Sequence, residues 1–263
     1  MKRILIVAHP DDEILFFSSV LENIDKVIVC FGASKNKAIT KGREVLQAQY
    51  PLSNIEWLNL DESDVWDASN WNKPVITSRG ISVNRDEASY RETFDNLCEI
   101  FKTKLTTYDV VYTHNPWGEY GHEEHVSVFN AVLSSVRGSN KKLFISCYVS
   151  DRSQKLFSMQ RHLLQGEIQQ GTVPKKLCSQ IKSLYIECNC WTWDDNYEWP
   201  NSEIFAEVMT DSSSCVESNY TLTADPPAMF FSRSFKQSLT KKIASKVLSK
   251  SMKDIIKRMI YSR

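Results

Sequence analysis

The sequence predicts an α/β protein built on a mostly parallel sheet, and two observations favour this fold class. Apolar runs rich in β-branched residues, typical of strands buried on both faces, alternate with helix-like stretches along the first 150 residues. This alternation is typical of βαβ units. The chain has 263 residues, of which 42% are hydrophobic, so it can bury one sizeable core. A main domain over residues 1–233 and an appended segment over residues 234–263 are the simplest organisation.

The predicted elements follow one another in a regular order. Residues 4–8 form the first strand, Pro10 tightens the turn after it, and residues 14–21 have the apolar bias of a helix packing back on the sheet. Further strands are predicted at 26–31, 55–60, 109–114 and 143–149, and further helices at 37–50, 88–104 and 121–136. Residues 61–86 mix Ser, Asn, Trp and Pro and are predicted to form a long irregular loop, which commonly walls a substrate site.

The first strand runs straight into a charged turn, His9-Pro10-Asp11-Asp12-Glu13. Ligands of open α/β sheets gather at the carboxyl ends of strands, so this turn is the predicted reaction centre. His9 and Asp12 are three residues apart across the bend and can converge on one point, with Asp11 beside them. Zinc accepts both ligand types, but a catalytic zinc site needs a third protein ligand. Taken alone, the turn is equally compatible with an Asx-type helix cap.

A second polar turn follows the fourth predicted strand and carries Tyr120, His122 and His125. Histidines three residues apart lie on one face of the helix predicted to begin near Gly121, so their rings can point into the same cavity. Their spacing differs from the His-Glu-x-x-His motif of zincin proteases. His114 ends the strand itself and is predicted to be a hydrogen-bonded structural histidine rather than a ligand.

Two separated motifs together resemble one known family. Residues 8–13, Ala-His-Pro-Asp-Asp-Glu, and residues 121–125, Gly-His-Glu-Glu-His, are similar to the PIG-L/LmbE-like family of zinc-dependent N-acetylglucosamine de-N-acetylases. The resemblance extends over roughly the first 150 residues, where the order of strands and helices also matches. It implies a Rossmann-like three-layer sandwich as the fold.

The resemblance implies a Zn²⁺ ion held by His9, Asp12 and His125, with Asp11 as the general base. Zinc lowers the pKa of a bound water to about 7 and polarises an amide carbonyl, so a nearby carboxylate can take the proton during attack on the acetamide carbon. The expected reaction removes the acetyl group from an N-acetylated amino sugar. Histidine and carboxylate ligands also suit iron, cobalt and nickel.

The resemblance further implies that Tyr120 helps to stabilise the oxyanion and that His122 acts as an electrostatic or acid group beside the metal. Either Asp11 or His122 can protonate the leaving amine, and the sequence does not separate them. The family often has Pro-Asp between the two histidines, where this chain has Glu123-Glu124. The carboxylate of Glu124 is expected to hydrogen-bond to His122 and orient it.

Aromatic residues offer candidate pocket walls. Trp117 lies between the fourth strand and the histidine turn and is predicted to shape the pocket. Trp191, Trp193 and Trp199 stand among aspartates and asparagines, a mixture that suits either a sugar-binding wall or an aromatic segment capping the core.

Other functions remain compatible with these patterns. An amidase of the same family acting on a non-sugar amide would keep both motifs. A Rossmann-like sugar- or nucleotide-binding protein without catalysis would not need a metal, although the G-x-G-x-x-G fingerprint after the first strand is absent. An interaction protein with a basic tail is a third alternative.

Charge and cysteine usage restrict the partners and the compartment. The formal net charge is zero and the pI about 6.9, which argues against a nucleic-acid binder. The seven cysteines form no disulfide framework, and the first apolar run is too short for a signal sequence or a membrane span. These features predict a cytoplasmic protein.

Residues 234–263 differ in character from the rest of the chain. Apolar residues recur there at helical intervals, and lysines fill most of the other positions. The pattern predicts a basic amphipathic helix. Such a helix either makes peripheral contact with an anionic membrane, which would place the protein at the inner membrane surface, or packs on the domain with its lysines in solvent.

Overall fold

The computed structural model describes residues 1–210 and 228–230. The strands are β1 (Arg3–Val7), β2 (Lys26–Ala33), β3 (Ile55–Asp61), β4 (Ile76–Thr77), β5 (Gly80–Ile81), β6 (Val110–Thr113), β7 (Lys142–Ser146), β8 (Tyr148–Val149), β9 (Leu164–Thr172), β10 (Ser202–Val208) and β11 (Met229–Phe230). The helices are α1 (Asp12–Phe16), α2 (Lys37–Gln49), α3 (Glu87–Lys104), α4 (Glu123–Val136), α5 (Gln154–Gln160) and α6 (Lys175–Glu187), with short 3₁₀ turns at Leu21–Asn23 and Arg161–Leu163.

Seven strands form the central sheet, in the order β3-β2-β1-β6-β7-β10-β9. The first five are parallel, whereas β10 runs antiparallel to both of its neighbours. Strand β1 lies near the middle, with Leu5 level with Val27 of β2 on one side and with Tyr112 of β6 on the other. The mostly parallel α/β fold predicted from the sequence is confirmed.

Helices cover both faces of this sheet because the strand residues alternate between two apolar cores. Ile4 and Ile6 of β1 belong to the core formed with α3 and α4. Leu5 and Val7 point to the opposite face and belong to the core formed with α1, α2 and α6. Every one of these four β1 side chains is fully buried, as expected for a parallel strand covered on both sides. The architecture is therefore a three-layer sandwich.

The connections from β1 place its polar turn at a switch point of the sheet. The chain leaves β1 for β2 on one side, while β6 pairs on the other. Crevices at the carboxyl ends of strands on either side of such a point are where open α/β sheets bind ligands. The turn after β1 and the turn after β6 meet at this crevice.

Several elements differ from the sequence prediction. Helix α1 ends at Phe16, and just beyond it Ser18 Oγ and Ser19 N both donate hydrogen bonds to the buried carboxylate of Glu203, at 2.8 Å each. The strand predicted at 143–149 divides at Cys147, after which the chain pairs with β11. The loop at 61–86 contains the short hairpin β4–β5.

The later elements α5, β9, α6 and β10 were not predicted. The predicted amphipathic helix at 234–263 lies outside the described residues, as does the domain boundary at 233. Among the helices that the structure does describe, none combines the length and the apolar character needed to cross a membrane.

Candidate metal centre and active site

Three side chains from the two polar turns converge on one point. His9 Nδ1 lies 3.3 Å from His125 Nε2 and 3.4 Å from Asp12 Oδ2, and Asp12 Oδ2 lies 3.3 Å from His125 Nε2. His9 follows β1, Asp12 begins α1, and His125 is in the first turn of α4. The structure thus brings together the three residues predicted as metal ligands. We refer to these three ligand atoms as the triangle.

Two carboxylates fix the rings of the two histidines in the triangle. Glu124 Oε2 lies 2.8 Å from His9 Nε2, and Glu119 Oε2 lies 2.8 Å from His125 Nδ1. If each histidine donates its proton to its carboxylate, the nitrogen that faces the triangle keeps its lone pair. This arrangement of carboxylate, histidine and metal recurs in zinc proteins, where it sets the tautomer and the ring orientation.

The distances within the triangle fit a zinc ion. Ligands of tetrahedral zinc with bonds of about 2.0–2.1 Å lie about 3.3–3.4 Å from one another. The measured separations between His9, Asp12 and His125 are 3.3–3.4 Å. Two nitrogens and one carboxylate oxygen are also the donor types that zinc accepts.

The electrostatics of the triangle favour positive charge at its centre. Burial by itself would lower the pKa of His9, but Asp12 and Glu124 outweigh this effect and raise the pKa to about 10. Burial by itself would raise the pKa of Asp12, but His125 and His114 hold it well below its usual range. Both pKa shifts favour the ionised forms of His9 and Asp12, whose charged groups face each other in the triangle. A divalent cation can supply the same positive charge by displacing protons from its ligands.

His114 packs against His125 on the interior side of the site and is fully buried. Its Nε2 accepts a hydrogen bond from Ala8 N at 2.8 Å, so a neutral ring carries its proton on Nδ1, which lies 3.0 Å from Glu119 Oε2. The ring also stacks on His125, with centroids 3.8 Å apart. His114 therefore has the hydrogen-bonded structural environment that the sequence predicts for it.

Asp11 stands beside the triangle in an unusual backbone conformation. Its φ of 93° is left-handed, a region that few residues other than glycine adopt. Tyr185 OH accepts a hydrogen bond from Asp11 N at 2.7 Å, and Glu13 Oε2 accepts a second at 3.0 Å. Glu13 Oε1 in turn accepts from Tyr185 OH at 2.7 Å and from Tyr50 OH at 2.6 Å. These bonds hold the strained turn.

The electrostatic environment of Asp11 suits a base. Burial and the nearby carboxylates of Asp12 and Glu13 raise the pKa of Asp11 to about 8, against the hydrogen bond from Thr192. Burial also raises the pKa of Glu13 to about 7, although the Tyr50 and Tyr185 hydroxyls oppose this shift. A cation bound in the triangle would favour the ionised form of Asp11, because opposite charges lower a carboxyl pKa.

Tyr120 and His122 line the same cleft. The His122 ring centroid lies 4.6 Å from that of His9 and 4.7 Å from that of His125, and the Tyr120 ring lies 5.2 Å from His125. His122 caps α4, because its Nδ1 accepts a hydrogen bond from Glu124 N at 3.2 Å. A neutral His122 ring therefore carries its proton on Nε2.

The loop between β3 and β4 reaches the site through buried contacts. Ser63 Oγ donates to Glu124 Oε1 at 2.7 Å, which fixes the carboxylate that holds His9. Further along the loop, Ser69 N and Trp71 Nε1 both donate to Glu123 Oε1 at 3.0 Å. These bonds attach the loop to the first turn of α4.

Arg152 lies at the edge of the cleft between aromatic rings. Its guanidinium carbon is 4.6 Å from the ring centroid of Trp66 and 5.2 Å from that of Trp71. Arg152 Nε donates to Gly121 O at 3.0 Å. Gly121 adopts a φ of 86°, and a Cβ there would lie 2.7 Å from Arg152 Cγ, so the position requires glycine.

Two interpretations from the sequence were wrong. Glu124 was expected to orient His122 through its carboxylate, but that carboxylate contacts His9 and Ser63, and it is the Glu124 backbone N–H that donates to His122 Nδ1. Trp117 was expected to shape the pocket, but it is fully buried in the core, where its Nε1 donates to Tyr148 O at 2.6 Å.

The three tryptophans of the later segment have separate surroundings. Trp193 packs edge-on against Tyr120, with centroids 4.7 Å apart, and thus borders the cleft. Trp199 is buried and donates a hydrogen bond from Nε1 to Ile14 O of α1. Trp191 lies 6.1 Å from the Tyr185 ring. The segment both caps α1 and supplies one aromatic wall.

Several residues that build the site were missed by the sequence analysis, namely Ser63, Trp66, Glu119, Arg152, Tyr185 and Thr192. Glu119 could have been found from the sequence, since a carboxylate six residues before a predicted histidine ligand is a candidate for orienting it. The other residues lie on segments without a motif, and only the folded chain brings them to the cleft.

Glu119→Gln is expected to lower zinc affinity by about 10–100-fold. Glu119 Oε2 faces both His114 and His125, while Oε1 accepts hydrogen bonds from Asn115 N and Ser146 Oγ. Glutamine would place an NH₂ group at one of these two oxygen positions, where it would face N–H or O–H groups that already donate hydrogen bonds to Glu119. Competition with a zinc-binding dye measures the change.

Glu167→Gln is the matched control for this substitution, because Glu167 is exposed and pairs with Lys142 on the surface. It should leave zinc affinity unchanged. Equal affinities for the two variants would contradict the orienting role of Glu119.

Comparison with known proteins identifies the family. The sequence model of PIG-L, described as GlcNAc-PI de-N-acetylase, matches residues 4–136, which include both polar turns. The chain is also 25% identical over 140 residues to an uncharacterized protein of Acanthamoeba polyphaga mimivirus, a match that covers 48% of this chain. The chain thus spans about half of the length of that viral relative, since the match covers 54% of it.

One solved structure shares the fold. The zinc-inhibited form of the teicoplanin deacetylase Orf2 has a TM-score of 0.50 with 12% identity, over 81% of this chain and 100% of the other. A complex of a deacetylase from the teicoplanin biosynthesis pathway has a TM-score of 0.49 with 13% identity, over 81% of this chain and 100% of the other. At such low identity, the likeness to Orf2 establishes the fold alone. The match of the family model over half of the chain shows more: this protein belongs to the PIG-L family of de-N-acetylases.

Proposed function

We propose that this protein is a zinc-dependent N-deacetylase that removes the acetyl group from an N-acetylated amino sugar. One observation carries the proposal. His9, Asp12 and His125 present three ligand atoms at 3.3–3.4 Å from one another, with Asp11 beside them. All four residues lie within the segment matched by the family model.

His9, Asp12 and His125 would hold the ion. When bound, Zn²⁺ supplies a Lewis acid for the amide carbonyl and lowers the pKa of water at the site. A set of three protein ligands would suit a catalytic rather than a structural zinc site. The burial of His9 and His125 keeps competing solvent away from the ligands, since their exposed fractions are 7% and 0%.

The protein's own groups move the protons. Asp11 accepts the proton of the attacking water, a role that its buried carboxylate suits because a base works best when its pKa is near the operating pH. Tyr120 donates a hydrogen bond to the oxygen that becomes negative. The leaving amine then needs a proton, which Asp11 can return or His122 can donate from Nε2. Acetate and a free amine are the products.

Aromatic side chains around the cleft support a sugar substrate. The half-buried ring of Trp66 lies 5.5 Å from that of Tyr120, and the half-buried ring of Trp193 lies 4.7 Å from it on another side. Aromatic rings with polar tips can cover the apolar face of a sugar ring while they hydrogen-bond to its hydroxyls.

Acetate release tests the proposal directly. The protein is stripped with a chelator, reloaded with Zn²⁺, and supplied in parallel with N-acetylglucosamine compounds and N-acetylated amino acids. We expect zinc-dependent acetate from the sugar panel. Acetate from the amino acids alone would indicate an amidase of other specificity, and zinc binding without acetate from either panel would indicate a binding protein. Both of these results would contradict the proposed function.

A further inference from the structure

The carboxylate of Asp11 has a partner far away in the sequence. Thr192 Oγ1 donates a hydrogen bond to Asp11 Oδ2 at 2.9 Å, across a sequence separation of 181 residues. Within residues 1–210 and 228–230, no other side chain donates a hydrogen bond to this carboxylate. Thr192 lies beyond residue 136, where the family match ends.

Thr192 is held in place by the residues on both sides of it. Before it, Cys190 is buried and its N–H donates to Tyr185 O at 3.0 Å, while Tyr185 OH accepts from Asp11 N. After it, Trp193 packs on Tyr120. Within the segment from Tyr185 to Trp193, Tyr185 therefore holds the backbone of Asp11 and Thr192 holds its carboxylate. We refer to this segment, residues 185–193, as the base strap.

The base strap also lies close against helix α2. A Cβ built at Gly42 of α2 would stand 2.3 Å from Cys188 O and 3.0 Å from Cys190 Cβ. Only glycine permits this close approach of helix and strap. The position of Thr192 is thus determined by packing in which its own side chain takes little part, since Thr192 itself is exposed.

The hydrogen bond from Thr192 fixes which oxygen of the Asp11 carboxylate is free to accept a proton. A carboxylate has two equivalent oxygens and can rotate, but only one orientation directs an oxygen at the attacking water. With Oδ2 engaged by Thr192, the other oxygen is left to accept the proton. A hydrogen bond to a buried ion is also stronger than one in water, because the surroundings screen it less.

We propose that Thr192 is a positioning residue that holds the Asp11 carboxylate in its proton-accepting orientation. This inference rests on the proposed function, because Thr192 acts through the base of that reaction. It assigns part of the catalytic geometry to a segment that carries neither motif. The role requires a hydroxyl at position 192, not merely a side chain of that size.

Two substitutions separate the hydroxyl from the shape of the side chain. Thr192→Val keeps the branched shape and loses the donor, whereas Thr192→Ser keeps the donor. We expect Thr192→Val to lower kcat for acetate release by about 10–100-fold, the range for a lost hydrogen bond to a charged group. KM and zinc affinity should stay within about twofold of the unaltered protein, and Thr192→Ser should restore most of the rate.

A double substitution shows whether Thr192 acts through Asp11. In the Asp11→Asn background, Thr192→Val should lower kcat little further, because the proton acceptor is already absent. Three results would overturn the proposal: equal rates for Thr192→Val and the unaltered protein, a serine variant as slow as the valine variant, or full additivity of the two substitutions. If the unaltered zinc-loaded protein released no acetate, the proposed function itself would fall and this role with it.

Discussion

Asp11→Asn is expected to lower the rate of acetate release by about 10²–10⁴-fold, the usual contribution of a general base. Asparagine has the same shape and can still accept the hydrogen bond from Thr192, but it cannot take a proton. Asp11 contributes no atom to the triangle formed by His9, Asp12 and His125, so zinc binding should persist.

Steady-state kinetics together with zinc analysis of the same preparations test this expectation. Asp95→Asn is the matched control, because Asp95 is exposed on α3 and pairs with Arg79 at the surface. The control should keep both zinc and rate. A fully active Asp11→Asn protein would show that another group accepts the proton.

His125→Ala is expected to abolish both zinc binding and acetate release. His125 Nε2 lies 3.3 Å from His9 Nδ1 and from Asp12 Oδ2, so its loss leaves two ligands where catalytic zinc needs three. The substitution also removes one of the two histidine partners of Glu119 Oε2 and leaves that buried carboxylate with fewer hydrogen bonds. Some loss of stability should therefore accompany the loss of metal.

Thermal unfolding with and without zinc provides the measurement. Zinc at about 100 times its dissociation constant should stabilise the unaltered protein by about 2.7 kcal/mol, and this increment should vanish in His125→Ala. His162→Ala replaces an exposed histidine and serves as the control that keeps the increment. Circular dichroism checks that each variant is folded. An unchanged zinc increment in His125→Ala would remove His125 from the metal site.

Sequence patterns predicted the parallel part of the fold because each element there carries its own signal. The run Ile4 to Ala8 is apolar at every position, which is what a strand covered on both faces needs. Helices α2, α3 and α4 begin and end within two residues of their predicted bounds. The strand β9 lacked such a signal, since its sequence, LQGEIQQGT, is mostly polar at an exposed edge of the sheet.

The candidate site likewise contains residues that the sequence could indicate and residues that only the folded structure shows. His9, Asp12 and His125 could be named from the sequence because the two turns resemble the motifs of one known family, and the structure brings them together. Thr192 could not, because a threonine among tryptophans has no pattern that points to a carboxylate 181 residues away. The misplaced role of Glu124 has a similar cause: spacing within a helix does not show that a side chain reaches across to the turn after β1.

If Thr192 positions Asp11 as proposed, searches for the two polar-turn motifs alone will group together proteins of unequal turnover. A relative can keep every ligand and the aspartate, yet differ at the position of Thr192 or at Gly42, whose lack of a side chain admits the strap. A substitution in the base strap would then change turnover without touching the residues that hold the metal.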